Sequence, residues 1–247
     1  MIEVSVSDSR ALKAILESIS EIVDEAAFIF EEHGFCIEGA DPSIISKVDV
    51  SLSDAFFESY HVDSAVEFGV DMTSLDKIAK RILPQDTVTL ISRDRENMLE
   101  VVLNGGIERK FDAALIELNN NLPKISLDFP ATMVIETEAF RNCVRDLAVI
   151  GGSVVFDVFP ERIVMTSTGE LGTATVTIQR DNPAVLDLKV AAPCSAKYNL
   201  SYLMSFLKAG QISDCIAISL GDRDFPLKLE FSMMHGSLVF YLAPMEY

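Results

Sequence analysis

The order of apolar and polar residues in the first half of the chain predicts two helices set among strands. Leu12, Ile15 and Ile19 recur at the spacing of one helix face. A second helix is predicted over residues 73–82, and Pro84 prevents it from continuing. Eight other runs have the alternation or the β-rich composition of strands, at about residues 2–6, 27–31, 34–38, 46–51, 65–70, 87–92, 98–103 and 106–115.

The second half of the chain repeats this pattern in a single ungapped alignment, which we call the repeat register. Two copies of one α+β fold, each with two helices packed on antiparallel sheets, are the simplest explanation. We therefore predict domains at residues 1–116 and 131–247, with helices of the second domain near 138–149 and 200–209. The repeat register is defined by the pairs Leu16 and Val144, Ile22 and Ile150, Phe28 and Phe156, Leu75 and Leu203, and Leu99 and Leu227.

Residues 117–130 separate the two copies. They contain Asn119, Asn120 and Asn121 in succession and two prolines, which makes this stretch a poor helix and a poor central strand. We predict that it is an extended linker on the surface.

Composition excludes several classes of protein. Of the 247 residues, 49% are hydrophobic, enough for a sizeable core. We find neither the roughly 18 consecutive apolar residues of a membrane helix nor a signal peptide at the start. The expected location is therefore cytoplasmic, or nuclear in a eukaryotic host, without a membrane partner.

The cysteines and histidines do not favour a metal site. Cys36, Cys143, Cys194 and Cys215 are far apart and form no C-x-x-C pair, so we expect reduced thiols in or near the core. With only three histidines in the chain, no metal, cofactor or catalytic residue is predicted.

Charge is distributed unevenly along the chain. The net charge of −18 argues against nucleic-acid binding. The predicted helical windows 8–20, 72–82, 137–149 and 200–209 nevertheless hold eight basic and five acidic residues, a net charge of +3, so the rest of the chain carries −21. Glu17 and Asp146 lie on or near the proposed basic face and reduce its charge. The basic residues of the windows are Arg10, Lys13, Lys77, Lys80, Arg81, Arg141, Arg145 and Lys208.

A basic face on an acidic body holds a polyanion at one place and repels it elsewhere. None of the four helices has the Asn, Gln or Arg pattern that reads base edges, so contacts to phosphates without sequence preference are expected. So small a positive charge cannot alone hold an acidic protein on DNA. Retention would have to be topological.

Several segments resemble the proliferating cell nuclear antigen (PCNA) family, and the resemblance covers essentially the whole chain. They are Val144-Arg-Asp-Leu-x-x-Ile-Gly151, Ser167-Thr-Gly-Glu-Leu-Gly172, Phe225-Pro-Leu-Lys-Leu229, Tyr241-Leu-Ala-Pro244, Asp71-Met-Thr-Ser-Leu-x-Lys-Ile78 and Gly39-Ala-Asp-Pro42. The chain stops at Tyr247 without an acidic tail, which favours an archaeal member. The resemblance implies a homotrimeric ring around duplex DNA, with helices lining the hole and sheets outside.

The resemblance also implies two protein interfaces. Subunits of the family pair the last strand of the first domain with an edge strand of the neighbour's second domain, here about residues 106–116 and 173–181. The implied interface residues are Ile107, Arg109, Lys110, Phe111, Thr175, Val176, Thr177 and Ile178.

The second implied interface is a pocket for the family's PIP-box peptides, Gln-x-x-aliphatic-x-x-aromatic-aromatic. The implied partners are a DNA polymerase, a clamp loader, a flap endonuclease and a DNA ligase. The matching pocket residues are Ala40, Ser43, Ile44, Ile45, Leu122, Pro123, Leu127, Phe129, Phe225, Pro226, Tyr241, Leu242, Ala243 and Pro244.

Three alternatives remain open at this point. The chain could be one subunit of an obligate heterotrimeric clamp, or a β-rich peptide-binding scaffold that does not bind DNA. It could also be a metal-dependent enzyme, because Asp222 and Asp224, and Asp94 and Glu96, place carboxylates close together. Both pairs fall in predicted turns, where charged residues are common, and no nucleophile or phosphate loop accompanies them.

Overall fold

The computed structural model of the protein describes residues 1–93, 97–118, 122 and 124–246. Its contacts divide the chain into two compact units. The first unit comprises Met1–Ser43, Lys47–Pro123 and Met233–Leu238, and the second comprises Ile44–Ser46, Lys124–Ser232 and Val239–Tyr247.

The first unit has two α-helices, α1 (Ser9–Ser20) and α2 (Met72–Ala79), and a 3₁₀ turn at Asp54–Phe56. Its strands are β1 (Ile2–Val6), β2 (Glu25–Glu31), β3 (Gly34–Ala40), β4 (Ser46–Ser53), β5 (Ser59–Val62), β6 (Val66–Asp71), β7 (Thr87–Ser92), β8 (Met98–Asn104) and β9 (Glu108–Ile116).

The second unit has α3 (Thr137–Ala148) and α4 (Leu200–Phe206), which continues as a 3₁₀ segment at Leu207–Gln211. Its strands are β10 (Ala131–Glu136), β11 (Ser153–Phe159), β12 (Arg162–Gly169), β13 (Gly172–Gln179), β14 (Val185–Val190), β15 (Cys194–Asn199), β16 (Cys215–Leu220), β17 (Leu227–Met233) and β18 (Gly236–Leu242). The last residue of β17 and the first three of β18 are counted with the first unit.

The two units repeat the same fold. In the repeat register, α1, β2, β6 and β7 coincide residue for residue with α3, β11, β15 and β16. Strand order agrees as well: β4-β3-β2-β6 corresponds to β13-β12-β11-β15, and β9-β8-β7-β1-β5 to β18-β17-β16-β10-β14. All the strand pairs described are antiparallel, from β1–β5 to β16–β17. The predicted α+β fold with an internal repeat is confirmed.

Each unit buries the apolar face of its first helix. Leu12 and Ile19 of α1 correspond to Phe140 and Leu147 of α3, and all four are fully buried. Each such side chain contributes roughly 1.5–3 kcal/mol to stability. Within each unit the first helix also packs against the second, α1 against α2 and α3 against α4. Burial of one face leaves the opposite, polar face of each helix to solvent.

Two details of the first unit differ from the sequence prediction. Helix α2 ends at Ala79 rather than near residue 82. Strand β5 was not predicted, because its sequence, Ser-Tyr-His-Val, is short and only half apolar; it pairs with β1, with Val62 opposite Ile2. Strands β7 and β8 pair with each other, and the middle of the turn joining them lies outside the described residues.

The described part of the predicted linker is irregular, and the cysteines form no disulfide. The described residues of the predicted linker, at 117, 118, 122 and 124–130, form neither helix nor strand. All four cysteines are free, as predicted. Burial raises the pKa of the Cys194 thiol to about 11. No helix in the described part of the chain is long and apolar enough to cross a membrane.

Candidate nucleic-acid and partner interfaces

In the first unit, two basic side chains extend from α1. Arg10 is exposed and lies 3.8 Å from Asp8. Lys13 is only half exposed, because its Nζ donates a hydrogen bond of 3.1 Å to the carbonyl of Ile82 and lies 3.9 Å from Glu17. Of these two, Arg10 is the more accessible to a ligand.

The C-terminal end of α2 brings three more basic residues together. Lys77, Lys80 and Arg81 are all exposed. Lys80 lies 2.5 Å from Asp76, one turn earlier, and this hydrogen bond and charge raise the pKa of Lys80. Because a lysine is protonated at neutral pH in any case, the ion pair restrains the side chain without removing its charge.

In the second unit, α3 and α4 form the walls of a groove of about 800 Å³. Arg141, Arg145 and Lys208 line it, together with the neutral donors Ser201 and Gln211. A basic groove with neutral hydrogen-bond donors suits an oxyanion such as a phosphate.

The guanidinium group of Arg141, which lines this groove, contacts two other residues of the second unit. It donates a hydrogen bond of 2.6 Å to Glu138 and lies directly over Gly210, where a β-carbon would collide with it. Arg145 is 3.7 Å from the same Glu138 and is more exposed. Glu138 therefore reduces the net positive charge of the groove and restrains both arginines.

Ser201 and Gln211 were not among the residues predicted from the sequence. Ser201, Ser205 and Lys208 follow at intervals of four and three residues, which places them on one face of a helix. This spacing is the sequence feature from which the position of Ser201 beside Lys208 could have been predicted. The predicted basic residues thus lie on the solvent faces of the helices in both units, and their chemistry suits phosphates rather than base edges.

The second unit also brings together part of the predicted peptide pocket. The N–H of Ala243 donates a hydrogen bond of 2.7 Å to the carbonyl of Ile45. The rings of Phe129 and Phe225 pack edge to face, with centroids 5.9 Å apart. The hydroxyl of Tyr198, not predicted as a pocket residue, donates to the carbonyl of Phe225 and holds that turn.

The remaining predicted pocket residues of the second unit differ in how far their side chains are exposed. Ile44 is 59% exposed and has a positive φ of 54°, which is unfavourable for a β-branched residue. Leu127 is also exposed, whereas Pro226, Tyr241 and Pro244 are half-buried.

Leu242 is fully buried, because strand alternation turns its side chain into the core, so it cannot line a pocket except through its backbone. Ala40, Ser43 and Leu122 belong to the first unit, and Pro123 lies outside the described residues.

Each of the two strands predicted to join subunits has one side that is wholly or largely unpaired in the described structure. Strand β13 pairs with β12 alone, and β9 pairs with β8 along its length and with β6 only at Leu115 and Ile116. Ile107, beside β9, is 77% exposed. Lys110, Thr175 and Thr177 are exposed, and Phe111 and Val176 are half-buried.

Two of the predicted interface side chains point inward. Ile178 is buried, so it can contribute to an interface mainly through its backbone. Arg109 donates hydrogen bonds to Asp86 and to the carbonyl of Arg81 within its own unit.

Of the two carboxylate pairs considered for metal binding, the structure describes one. Asp222 and Asp224 are exposed in the turn between β16 and β17, and Asp222 Oδ1 accepts the N–H of Ser195 at 3.4 Å. Asp94 and Glu96 lie outside the described residues. The described part of the chain contains no group of three or more potential metal ligands.

Comparison with known proteins identifies the family. The family model of the PCNA N-terminal domain matches residues 1–124, and that of the C-terminal domain matches residues 124–246. A DNA polymerase sliding clamp of Cenarchaeum symbiosum is 32% identical over 243 residues, covering 96% of each chain. One from Thermococcus onnurineus is 29% identical over 98% of this chain and 97% of its own.

The fold agrees with these relatives. The crystal structure of PCNA from Thermococcus kodakaraensis superimposes with a TM-score of 0.91 at 26% sequence identity, covering 99% of this chain and 100% of that one. The chain therefore belongs to the proliferating cell nuclear antigen family of DNA polymerase sliding clamps, which are processivity factors and not enzymes.

Proposed function

We propose that three copies of this chain close into a ring around duplex DNA and tether replication and repair enzymes to it. The observation that carries this proposal is a pair of unpaired strand sides, that of β9 before Leu115 in the first unit and the outer side of β13 in the second. Exposed edges of this kind aggregate unless they are paired. A head-to-tail contact between two different edges gives a closed ring when the rotation between subunits allows it.

The internal repeat supports pairing of β9 with β13. In the repeat register, β9 corresponds to β18 and β13 to β4. Within the first unit, the N–H of Ser53 in β4 donates a hydrogen bond of 2.9 Å to the carbonyl of His235, which immediately precedes β18. An equivalent pairing between β9 and β13 would have to come from a neighbouring subunit.

The DNA-facing surface of this ring would be the polar face of the four helices. The proposed contacts are to phosphates, and the surrounding acidity would repel DNA elsewhere. Affinity would fall steeply with salt. Each phosphate neutralised contributes about −0.9 to the slope of log K against log salt. Ring closure, rather than charge, would retain the protein on DNA. The proposed contacts are Arg10, Lys13, Lys77, Lys80, Arg81, Arg141, Arg145 and Lys208.

Partner enzymes would bind through PIP-box peptides at the aromatic and aliphatic surface of the second unit. Ile44, Ile45 and Leu127 are exposed apolar side chains there, and Phe129 and Phe225 add a pair of packed rings. Exposed apolar side chains beside half-buried aromatic rings suit the aliphatic and aromatic anchors of such peptides. A DNA polymerase, clamp loader, flap endonuclease and DNA ligase are the proposed partners, in the cytoplasm of an archaeal host.

The solution mass of the purified chain tests the homotrimer. Light scattering across a dilution series should give three times 27.2 kDa. A monomer at every concentration would contradict a self-closing ring and would favour an obligate heterotrimer, which mixing with paralogous subunits would then restore. These outcomes concern assembly alone.

A processivity assay tests DNA binding separately. Replacing Lys77, Lys80 and Arg81 with Ala should shorten the products of the cognate polymerase at moderate salt. Unchanged product length with a normally folded trimer would favour a peptide-binding scaffold that does not contact DNA.

A further inference from the structure

The end of α2 is held by side chains from two other elements of the first unit. Three successive carbonyls beyond the helix accept side-chain hydrogen bonds: Arg81 from Arg109 Nη1 at 3.0 Å, Ile82 from Lys13 Nζ at 3.1 Å, and Leu83 from Ser9 Oγ at 3.0 Å. Carbonyls at a helix C-terminus have no partner inside the helix. Here α1 and β9 satisfy the carbonyls of the three residues that follow the last turn of the helix.

Arg109 makes two contacts from one guanidinium group. Its Nη1 binds the carbonyl of Arg81, and its Nη2 lies 2.5 Å from Asp86 Oδ2. The Asp86 side chain is fully buried, and the same Oδ2 accepts the N–H of Leu83 at 2.7 Å. The planar guanidinium thus joins β9 to the turn that follows α2, in a geometry that a single ammonium group cannot reproduce.

The second unit does not repeat this arrangement. In the repeat register, Arg109 corresponds to Ser237 and buried Asp86 to exposed Asp214. There the turn after α4 is held by Thr137 Oγ1, which donates to the carbonyl of Ser213 at 2.8 Å. The Arg109–Asp86 pair is therefore a feature of the first unit and not a requirement of the repeated fold.

We propose that Arg109 is a positioning residue for DNA binding, because it fixes the backbone of Arg81 and thereby the place of the Arg81 guanidinium. This inference rests on the proposed function, in which Arg81 contacts phosphate. A cation held by a fixed backbone loses less conformational entropy when it meets a phosphate than one on a frayed helix end. Because Arg109 lies on β9, the same residue links the proposed subunit edge to the DNA-facing surface.

The test is a double-mutant cycle on the full-length chain. A short linear duplex is titrated at several salt concentrations with the wild type, Arg81→Gln, Arg109→Gln and the double variant, and the slope of log K against log salt is compared. Arg81→Gln should reduce the magnitude of this negative slope by about 0.9, the loss of one phosphate contact. Arg109→Gln should also make the slope shallower, and the double variant should have the same slope as Arg81→Gln alone.

Matched variants separate positioning from loss of charge. Arg93→Gln removes another exposed cation of the first unit, one that pairs with Glu100 at 3.0 Å, and should leave the slope unchanged. Arg109→Lys keeps the charge but loses the planar fork, and should behave like Arg109→Gln. Circular dichroism and solution mass confirm that each variant is folded and assembled as the wild type.

Hydrogen exchange distinguishes failure of this inference from failure of the proposed function. The amide of Leu83, which donates to Asp86, should exchange faster in Arg109→Gln. If it does not, or if Arg109→Gln makes the slope shallower still in the Arg81→Gln background, positioning by Arg109 is overturned. If exchange rises but Arg81→Gln leaves the slope unchanged, the proposed DNA contact at Arg81 is wrong instead.

Discussion

Asp71 and Asn199 occupy equivalent positions in the repeat register and cap the same helix in the two copies of the fold. Asp71 Oδ1 accepts the N–H of Ser74 at 2.9 Å at the start of α2. Asn199 Oδ1 accepts the N–H of Ser201 at 2.8 Å at the start of α4. Each copy thus satisfies an otherwise unpaired donor in the first turn of its second helix, the third helical residue in α2 and the second in α4. The two copies therefore resemble each other in the side-chain capping of a helix as well as in the pattern of apolar residues.

Removal of either cap should destabilise its own unit. Asp71→Ala and Asn199→Ala should each lower the free energy of unfolding by about 1 kcal/mol, since an amide donor loses its partner. Urea denaturation measures the change. Thr73→Ala, at an exposed position of α2, should cost less than about 0.5 kcal/mol. Equal losses for all three variants would show that the caps contribute nothing specific.

Gly210 should be required for the position of Arg141. A methyl group at Gly210 would collide with the Arg141 guanidinium and approach Thr137 Cγ2 to 2.8 Å. Gly210→Ala should therefore cost about 1–3 kcal/mol in the free energy of unfolding. The cost should shrink in an Arg141→Ala background, where the main obstacle is gone. Gly152→Ala is the control, because no atom lies within 4 Å of its β-carbon position.

Ile44 combines an unfavourable backbone with an exposed apolar side chain. Ile44→Asn should stabilise the chain by about 1 kcal/mol, because Asn tolerates the left-handed region better than a β-branched residue. The same change should weaken PIP-box peptide binding, measured by fluorescence anisotropy, because an apolar contact is lost. Higher stability with unchanged affinity would remove Ile44 from the proposed pocket.

Adjacent proline variants on β13 test the proposed subunit edge. Successive N–H groups of a strand point to opposite sides, so one of Val176→Pro and Thr177→Pro removes an outward donor and the other disrupts pairing with β12. We expect the variant that loses the outward donor to be a folded monomer, and the variant that disrupts pairing with β12 to lose thermal stability. Light scattering and circular dichroism distinguish them. If both proline variants fold and remain trimeric, the proposed pairing of subunits through β13 is contradicted.

The features that the sequence predicted depend on local pattern. Leu12, Ile19, Phe140 and Leu147 follow helical spacing in both halves, and burial of one face requires that spacing whatever the tertiary contacts are. The repeat then places the second unit's helices and strands at the equivalent positions. The basic faces of the helices follow from the same periodicity, since the positions opposite the buried stripe must face solvent.

The features that it missed depend on partners distant in the chain. Ser9, Lys13 and Arg109 bind the carbonyls beyond the end of α2 at Ala79. No local signal marks those contacts. Likewise, the inward turn of Arg109 depends on buried Asp86, 23 residues away. A residue type suited to an interface or to DNA does not show which groups its side chain already binds.

Retention on circular DNA tests the central claim most directly. The chain is loaded onto a nicked circular plasmid with the clamp loader of its own organism and passed through a sizing column at high salt, and half of the sample is linearised first. A ring that encircles DNA should co-elute with the circle and be lost from the linear molecule, since it can slide off the ends. Equal retention on both forms, or on neither, would contradict topological binding.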